Sequence, residues 1–155
     1  MTVLIAYDGS DDARSAIEYA GRHIKPEPVV VLTVWEPLIS QLAWAPLIAA
    51  APVTAEQGGD QFAEEQQAVA LAKQGAELAA AAGLADVTPR AVRTNGPVWA
   101  TIVDAAEELD VSLLVTGSRG LAGARSVILG SVSTRVLHHV HRPTLVVPPA
   151  KPRKD

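Results

Sequence analysis

Apolar residues in this chain fall into short continuous runs, separated by stretches in which they recur every three or four positions, the pattern of buried strands alternating with amphipathic helices. Val3 to Tyr7 is the first run. It ends at Asp8-Gly9-Ser10, after which Ala13, Ile17, Ala20 and Ile24 keep helical spacing as far as Pro26. Val29 to Trp35 is a second run, β-branched and unbroken, as a strand covered on both faces requires. Pro37, Pro46, Pro52 and Gly58-Gly59 interrupt residues 37–60, and a long helix is predicted over 61–82 with Gly83 as its stop. Val87 to Thr94 alternates weakly and reads as a third strand. Asn95-Gly96-Pro97 then forms a turn whose proline takes the first position of a helix over 98–108. Leu113 to Thr116 is a fourth strand, 131–140 a last helix ending before Arg142-Pro143, and Thr144 to Val147 a closing strand stopped by Pro148-Pro149.

Five strands alternating with four helices predict one α/β domain over 1–149: an open parallel sheet with right-handed crossovers and helices on both faces, Rossmann-like in class. In such sheets ligands sit beyond the carboxyl ends of the strands, where the strand order reverses. The loops at that edge carry Asp8-Gly9-Ser10, Trp35-Glu36 with the 37–60 insert, Asn95-Gly96, and a glycine-rich stretch. If strands one and four are neighbours at the reversal, Asp8 and Gly117 converge on one cleft.

That glycine-rich stretch is Gly117-Ser118-Arg119-Gly120, followed by Gly130-Ser131-Val132-Ser133 at the start of the last helix. Glycine lets backbone approach a ligand closely, and the first turn of a helix offers unpaired N–H groups with partial positive charge. Ser131 and Ser133 add hydroxyls, and Arg119 and Arg125 add cationic heads, a set suited to a chain of phosphates. The competing reading is a plain strand-to-helix turn in which Ser131 caps its own helix. No Gly-x4-Gly-Lys-Ser/Thr P-loop occurs, and no Gly-x-Gly-x-x-Gly follows a strand.

The chain has 155 residues, 48% of them apolar, with net charge −4. One folded domain is expected, with alanine-rich helices packed closely through small faces. The negative balance argues against nucleic acid or anionic lipid as partner, and the basic tail over 150–155 is too short to reverse it. Zero cysteines exclude disulfides, thiolate catalysis and Cys-type zinc sites. The amino-terminal stretch has no basic leader pattern, and the apolar stretch Leu42 to Val53 is shorter than a membrane span and contains Pro46, so no membrane partner and a cytoplasmic location are expected.

Other residues admit more than one reading. Asp8 suits either a ligand-facing carboxylate or a cap of the first helix, for which Ser10 also qualifies. The 37–60 insert, with Trp44, reads as a lid over the cleft, as a surface packed at a dimer contact, or as a mobile segment. Trp35 either stacks on a base or belongs to the core. His138, His139 and His141 lack the spacing of a metal site; the negative end of their helix suffices to explain them. Glu64, Glu65, Glu107, Glu108 and Asp110 read as solvated helix faces.

Three separated matches, in order and on the appropriate elements, resemble the nucleotide-binding branch of the universal stress protein family. They are Gly117-x2-Gly120-x9-Gly130-Ser131, the opening Val3-Leu4-Ile5-Ala6-Tyr7-Asp8-Gly9-Ser10, and the ending Arg142-Pro143-Thr144-Leu145-Val146-Val147. The resemblance implies strand order 3-2-1-4-5, as in adenine nucleotide alpha hydrolase-like folds, with ATP and Mg²⁺ as ligand and homodimers through the last strand. It implies that Ala6, Tyr7 and Asp8 line the ribose side, with Asp8 meeting a ribose hydroxyl or a divalent ion, and that the Val34 backbone meets adenine. Gly117 and Gly120 would let the chain pass under the phosphates beside Arg119. Gly130, Ser131, Val132 and Ser133 would bind them through N–H and hydroxyl groups. The implied function is an ATP-binding regulatory module in the stress response. Two others stay open: a slow ATPase or nucleotide-transferring enzyme, and a nucleotide-free structural dimer.

Overall fold

The structure, a computed structural model, describes residues 1–37, 61–119 and 130–149. Its elements in chain order are β1 (Val3–Ala6), α1 (Asp11–His23), β2 (Val29–Trp35), α2 (Gln61–Ala81), β3 (Val87–Arg93), α3 (Val98–Glu108), β4 (Leu113–Gly117), α4 (Ser131–His139) and β5 (Thr144–Val147). The five strands form one parallel sheet in the order β3-β2-β1-β4-β5, as the alternating pattern and the family resemblance led us to expect.

Strand side chains alternate between two helical layers. Val3, Ile5, Val29 and Val31 pack with Ala13, Ala16, Ile17 and Ala20 of α1 and Ala79 of α2 on one face. Leu4, Leu32 and Leu114 pack with Ile102, Ala105 and Ala106 of α3 and Val136 of α4 on the other. Each fully buried aliphatic side chain contributes about 1.5–3 kcal/mol relative to exposure, so both layers are needed to hold the sheet. The inner stripe of α2 is Ala68, Ala72, Gly75 and Ala79, the small face anticipated from the alanine content.

Boundaries shift where side chains or caps intervene. Tyr7 leaves the ladder because its carbonyl accepts the Thr33 hydroxyl at 2.9 Å, although its amide still donates to Leu32. β4 runs one residue further than predicted because Gly117 pairs with Val147. Pro97 is the N-cap of α3, with extended backbone, and not its first helical residue. α2 ends as expected at Gly83: its φ is +101°, its amide donates to the Ala80 carbonyl, and the Leu84 amide donates to Ala79. Arg142 bridges Glu107 and Asp110 and so ties the approach to β5 to the end of α3; the Asp110 carboxylate raises its pKa above the ordinary guanidinium value. Among the described residues, no helix is long and apolar enough to cross a membrane.

Candidate functional site

β1 leads into α1 on one face of the sheet and β4 leads toward α4 on the other, so a crevice opens between their carboxyl ends. Counting the open mouth, it holds about 520 Å³ of space. Its inner walls are apolar: Ala6, Leu32, Val34, Val98 and Ile102. Its rim is polar, with Asp8 from the turn after β1, Gly117 and Arg119 from the end of β4, and Val132 and Ser133 from the first turn of α4. Tyr7 also lines it, but the Tyr7 ring is buried in the opposite layer among the α1 and α2 contacts, which leaves its backbone on the cleft side.

The Asp8 carboxylate accepts the Ser10 amide at 2.9 Å, an Asx turn that orients the side chain at the mouth. Capping of α1 falls to Ser10, whose hydroxyl oxygen accepts the Ala13 amide, so the reading of Asp8 as the cap is corrected.

Val34 presents backbone to the cleft for a reason of register. The Leu32 carbonyl takes the Tyr7 amide on the β1 side, and the Trp35 carbonyl takes the Thr94 amide on the β3 side. Peptide groups alternate sides along a strand, so the N–H and C=O of Val34 face the β1 side. They do so past the last paired β1 residue, Ala6 opposite Leu32. Trp35, two residues along from Thr33 and on the face opposite Val34, is half-buried and does not line the cleft.

The two halves of the glycine-rich motif meet directly. The Gly130 amide donates to the Ser118 carbonyl at 2.6 Å, and the Ser133 hydroxyl donates to the Gly117 carbonyl at 2.7 Å. The N–H of Gly130 and the hydroxyl proton of Ser133 are therefore engaged by the fold, a change from the expectation that both face a ligand. Gly130, with extended backbone, is the N-cap of α4 and Ser131 its exposed first helical residue, which corrects the reading of Ser131 as cap. The amides of Ser131, Val132 and Ser133 belong to the first turn, where the helix itself supplies no acceptor. Gly117 has a packing role too: a β-carbon there would lie 2.9 Å from the backbone of Asp12 in α1.

Arg119 reaches the rim paired with a residue that sequence reasoning did not single out. Its Nε donates to Oδ2 of Asp12 at 3.2 Å, and the Ser118 hydroxyl donates to the same oxygen at 3.3 Å. Asp12 is buried. Read along the chain it is one more acid in the first turn of a helix, and its partner lies 107 positions away. The wall residues Leu32, Val98 and Ile102 also went unremarked, because core and cleft apolar positions follow the same periodicity.

Several expectations lie elsewhere. Gly120, Arg125, the 38–60 part of the insert with Trp44, and the tail over 150–155 lie outside the described residues. Asn95 and Gly96 line a separate open groove beside α3. His138, His139 and His141 are exposed, with His139 stacked on Trp99 at a centroid distance of 4.3 Å. Glu108 pairs with Arg90 as Glu107 and Asp110 do with Arg142, all at the surface.

The sequence model of the universal stress protein family matches residues 1–148 of this chain. The chain belongs to the universal stress protein family. Among its curated relatives, a universal stress protein of Thermus aquaticus is 31% identical over 150 residues, covering 94% of this chain and 97% of that one. Solved structures of the universal stress proteins share the fold. One, crystallised in complex with cAMP, has a TM-score of 0.65 at 24% identity and covers 97% of this chain and 98% of its own. Another, from Arabidopsis thaliana with AMP bound, has a TM-score of 0.64 at 16% identity and covers 97% of this chain and 92% of its own.

Proposed function

We propose that this universal stress protein binds an adenine nucleotide in the cleft between β1 and β4 and acts as a regulatory module in the stress response, its occupancy passed to dimer or partner contacts. One observation carries the reading: an apolar slot, walled by Val34, Val98 and Ile102, that opens onto a rim bearing Asp8, Arg119 and the first turn of α4. A flat base suits the slot, with the unladdered Val34 peptide group at its edge. A ribose hydroxyl suits the Asp8 carboxylate, and phosphates suit the free amides of a helix start beside a guanidinium. Family structures with cAMP and AMP are consistent with this assignment.

The nucleotide we assign is ATP with Mg²⁺. The residues present fit such a group: Mg²⁺ takes one or two carboxylates together with phosphate oxygens, and Asp8 is the one carboxylate among the described lining residues. When bound, the metal would offset phosphate charge at the mouth. Binding, with hydrolysis very slow at most, is the assigned activity, since phosphoryl transfer needs a positioned acceptor and base as well as a cradle. β5 is an edge strand of the sheet, which suits a homodimer through Thr144 to Val147.

Calorimetric titration with ATP, ADP and AMP, with and without Mg²⁺, tests the proposal, alongside mass spectrometry of any small molecule that copurifies. A flat titration with all three nucleotides would overturn it. Mass measurement in solution with and without the bound nucleotide tests the link to assembly.

A further inference from the structure

We infer that Asp12 is a positioning residue for phosphate recognition: its carboxylate holds the Arg119 guanidinium at the cleft rim, although Asp12 itself does not line the cleft. The inference rests on the nucleotide reading given above. Three independent contacts fix the arrangement. Arg119 donates through Nε to Asp12 Oδ2 at 3.2 Å, Ser118 donates to the same oxygen at 3.3 Å, and the Asp12 backbone fills the space that a side chain at position 117 would need. The first turn of α1 is thus seated against the end of β4, with Ser10 capping the helix and Asp8 two residues before that cap. Through the first turn of α1, Asp12 joins the Asp8 side of the rim to the Arg119 side.

A long arginine side chain has several rotatable bonds, and an unanchored one loses that freedom on binding. Here the ordering is completed during folding. The carboxylate engages Nε on the inner edge of the guanidinium, while Arg119 lines the cleft. Anchoring through Nε fixes the plane of the guanidinium, and a fixed plane is what arginine needs to recognise phosphate oxygens. The pair is mostly withdrawn from water, which strengthens the hold of the carboxylate on the guanidinium.

The test compares AMP, which carries a phosphate, with adenosine, which does not, by calorimetry on the full chain. Wild type should bind AMP more tightly than adenosine. Asp12→Ala should weaken AMP binding about ten-fold and leave adenosine affinity unchanged, the size expected for a charge-assisted contact set loose. In an Arg119→Ala background, Asp12→Ala should cost no further AMP affinity, because the effect of the acid on the phosphate runs through that arginine. Circular dichroism and thermal unfolding establish that each variant is folded, and Asp12→Asn, equal in shape, replaces any variant that is not, with the same comparison read from it. Equal loss of AMP and adenosine, or an additive loss in the double variant, would mean a general structural role and would overturn the inference. So would wild-type affinities that are equal for the two ligands, although the nucleotide reading would then survive. A wild type that binds neither would remove both.

Discussion

Gly75 of α2 lies flush against the ring of Tyr7: a β-carbon at position 75 would sit 2.6 Å from Tyr7 Cδ1, and 2.8 Å from Cγ1 of Val31. Both neighbours are buried, and the Tyr7 ring cannot turn aside without disturbing the backbone that leads into Asp8. Alanine at position 75 would gain about 1 kcal/mol in helix propensity and lose about 1–3 kcal/mol to overpacking. With two contacts below 3 Å, the clash wins. Gly75→Ala should lower stability by up to about 2 kcal/mol in urea unfolding and weaken nucleotide binding through Tyr7 and Asp8. A stabilised variant would show that α2 can move outward at little cost.

If an adenine base lies against the Val34 backbone, as proposed, base selectivity follows from that peptide edge. Its carbonyl accepts and its amide donates, which complements the amino group and ring nitrogen of adenine but opposes the carbonyl and ring N–H of guanine. AMP should therefore bind at least about ten-fold more tightly than GMP, since a desolvated polar group left unmatched costs about 1–3 kcal/mol. Competition between the two nucleotides checks this, and equal affinity would take the Val34 backbone out of the site.

Ser131 separates the two readings of the glycine-rich motif. It is exposed and is not the N-cap of α4, so Ser131→Ala should change stability by no more than about 0.5 kcal/mol. If its hydroxyl meets a charged phosphate, the same change should weaken ATP binding by about 1.5–3 kcal/mol. Paired unfolding and titration measurements give both numbers, and unchanged affinity would remove Ser131 from the phosphate contacts.

Gly83 provides a control away from the cleft. Its φ of +101° is strained for any side chain, while the surrounding space is open, the nearest atom being the Gly21 carbonyl oxygen at 3.8 Å. Gly83→Ala should cost about 1–2 kcal/mol of stability for backbone reasons alone, with nucleotide affinity unaltered. Thermal unfolding and titration of the same sample check the pair of expectations.

The strands and helices were legible because burial on two faces makes strands continuous apolar runs, and burial of one stripe makes helices periodic, and both signals are local. Gly83 was legible as a stop for the same reason. Shifts of a residue at Tyr7 and Gly117 came from partners in other elements, Thr33 in the first case and Val147 in the second. A window of ten residues contains no such partner.

At the cleft the division is sharper. The glycine and serine positions of the motif could be read along the chain, but which donors they retain could not. Gly130 spends its amide on Ser118 and Ser133 its hydroxyl on Gly117, contacts that exist only because the end of β4 and the start of α4 are brought together. The sequence by itself determined the element types, the parallel class of the sheet and the family, since these depend on spacing and residue type. Only the tertiary structure decided that Asp12 holds Arg119, that Gly75 makes room for Tyr7, and that the Val34 peptide group faces the cleft. Hydrogen bonds and steric contacts act over a few ångströms, and distances of that order between residues far apart in the chain are set by strand order and register.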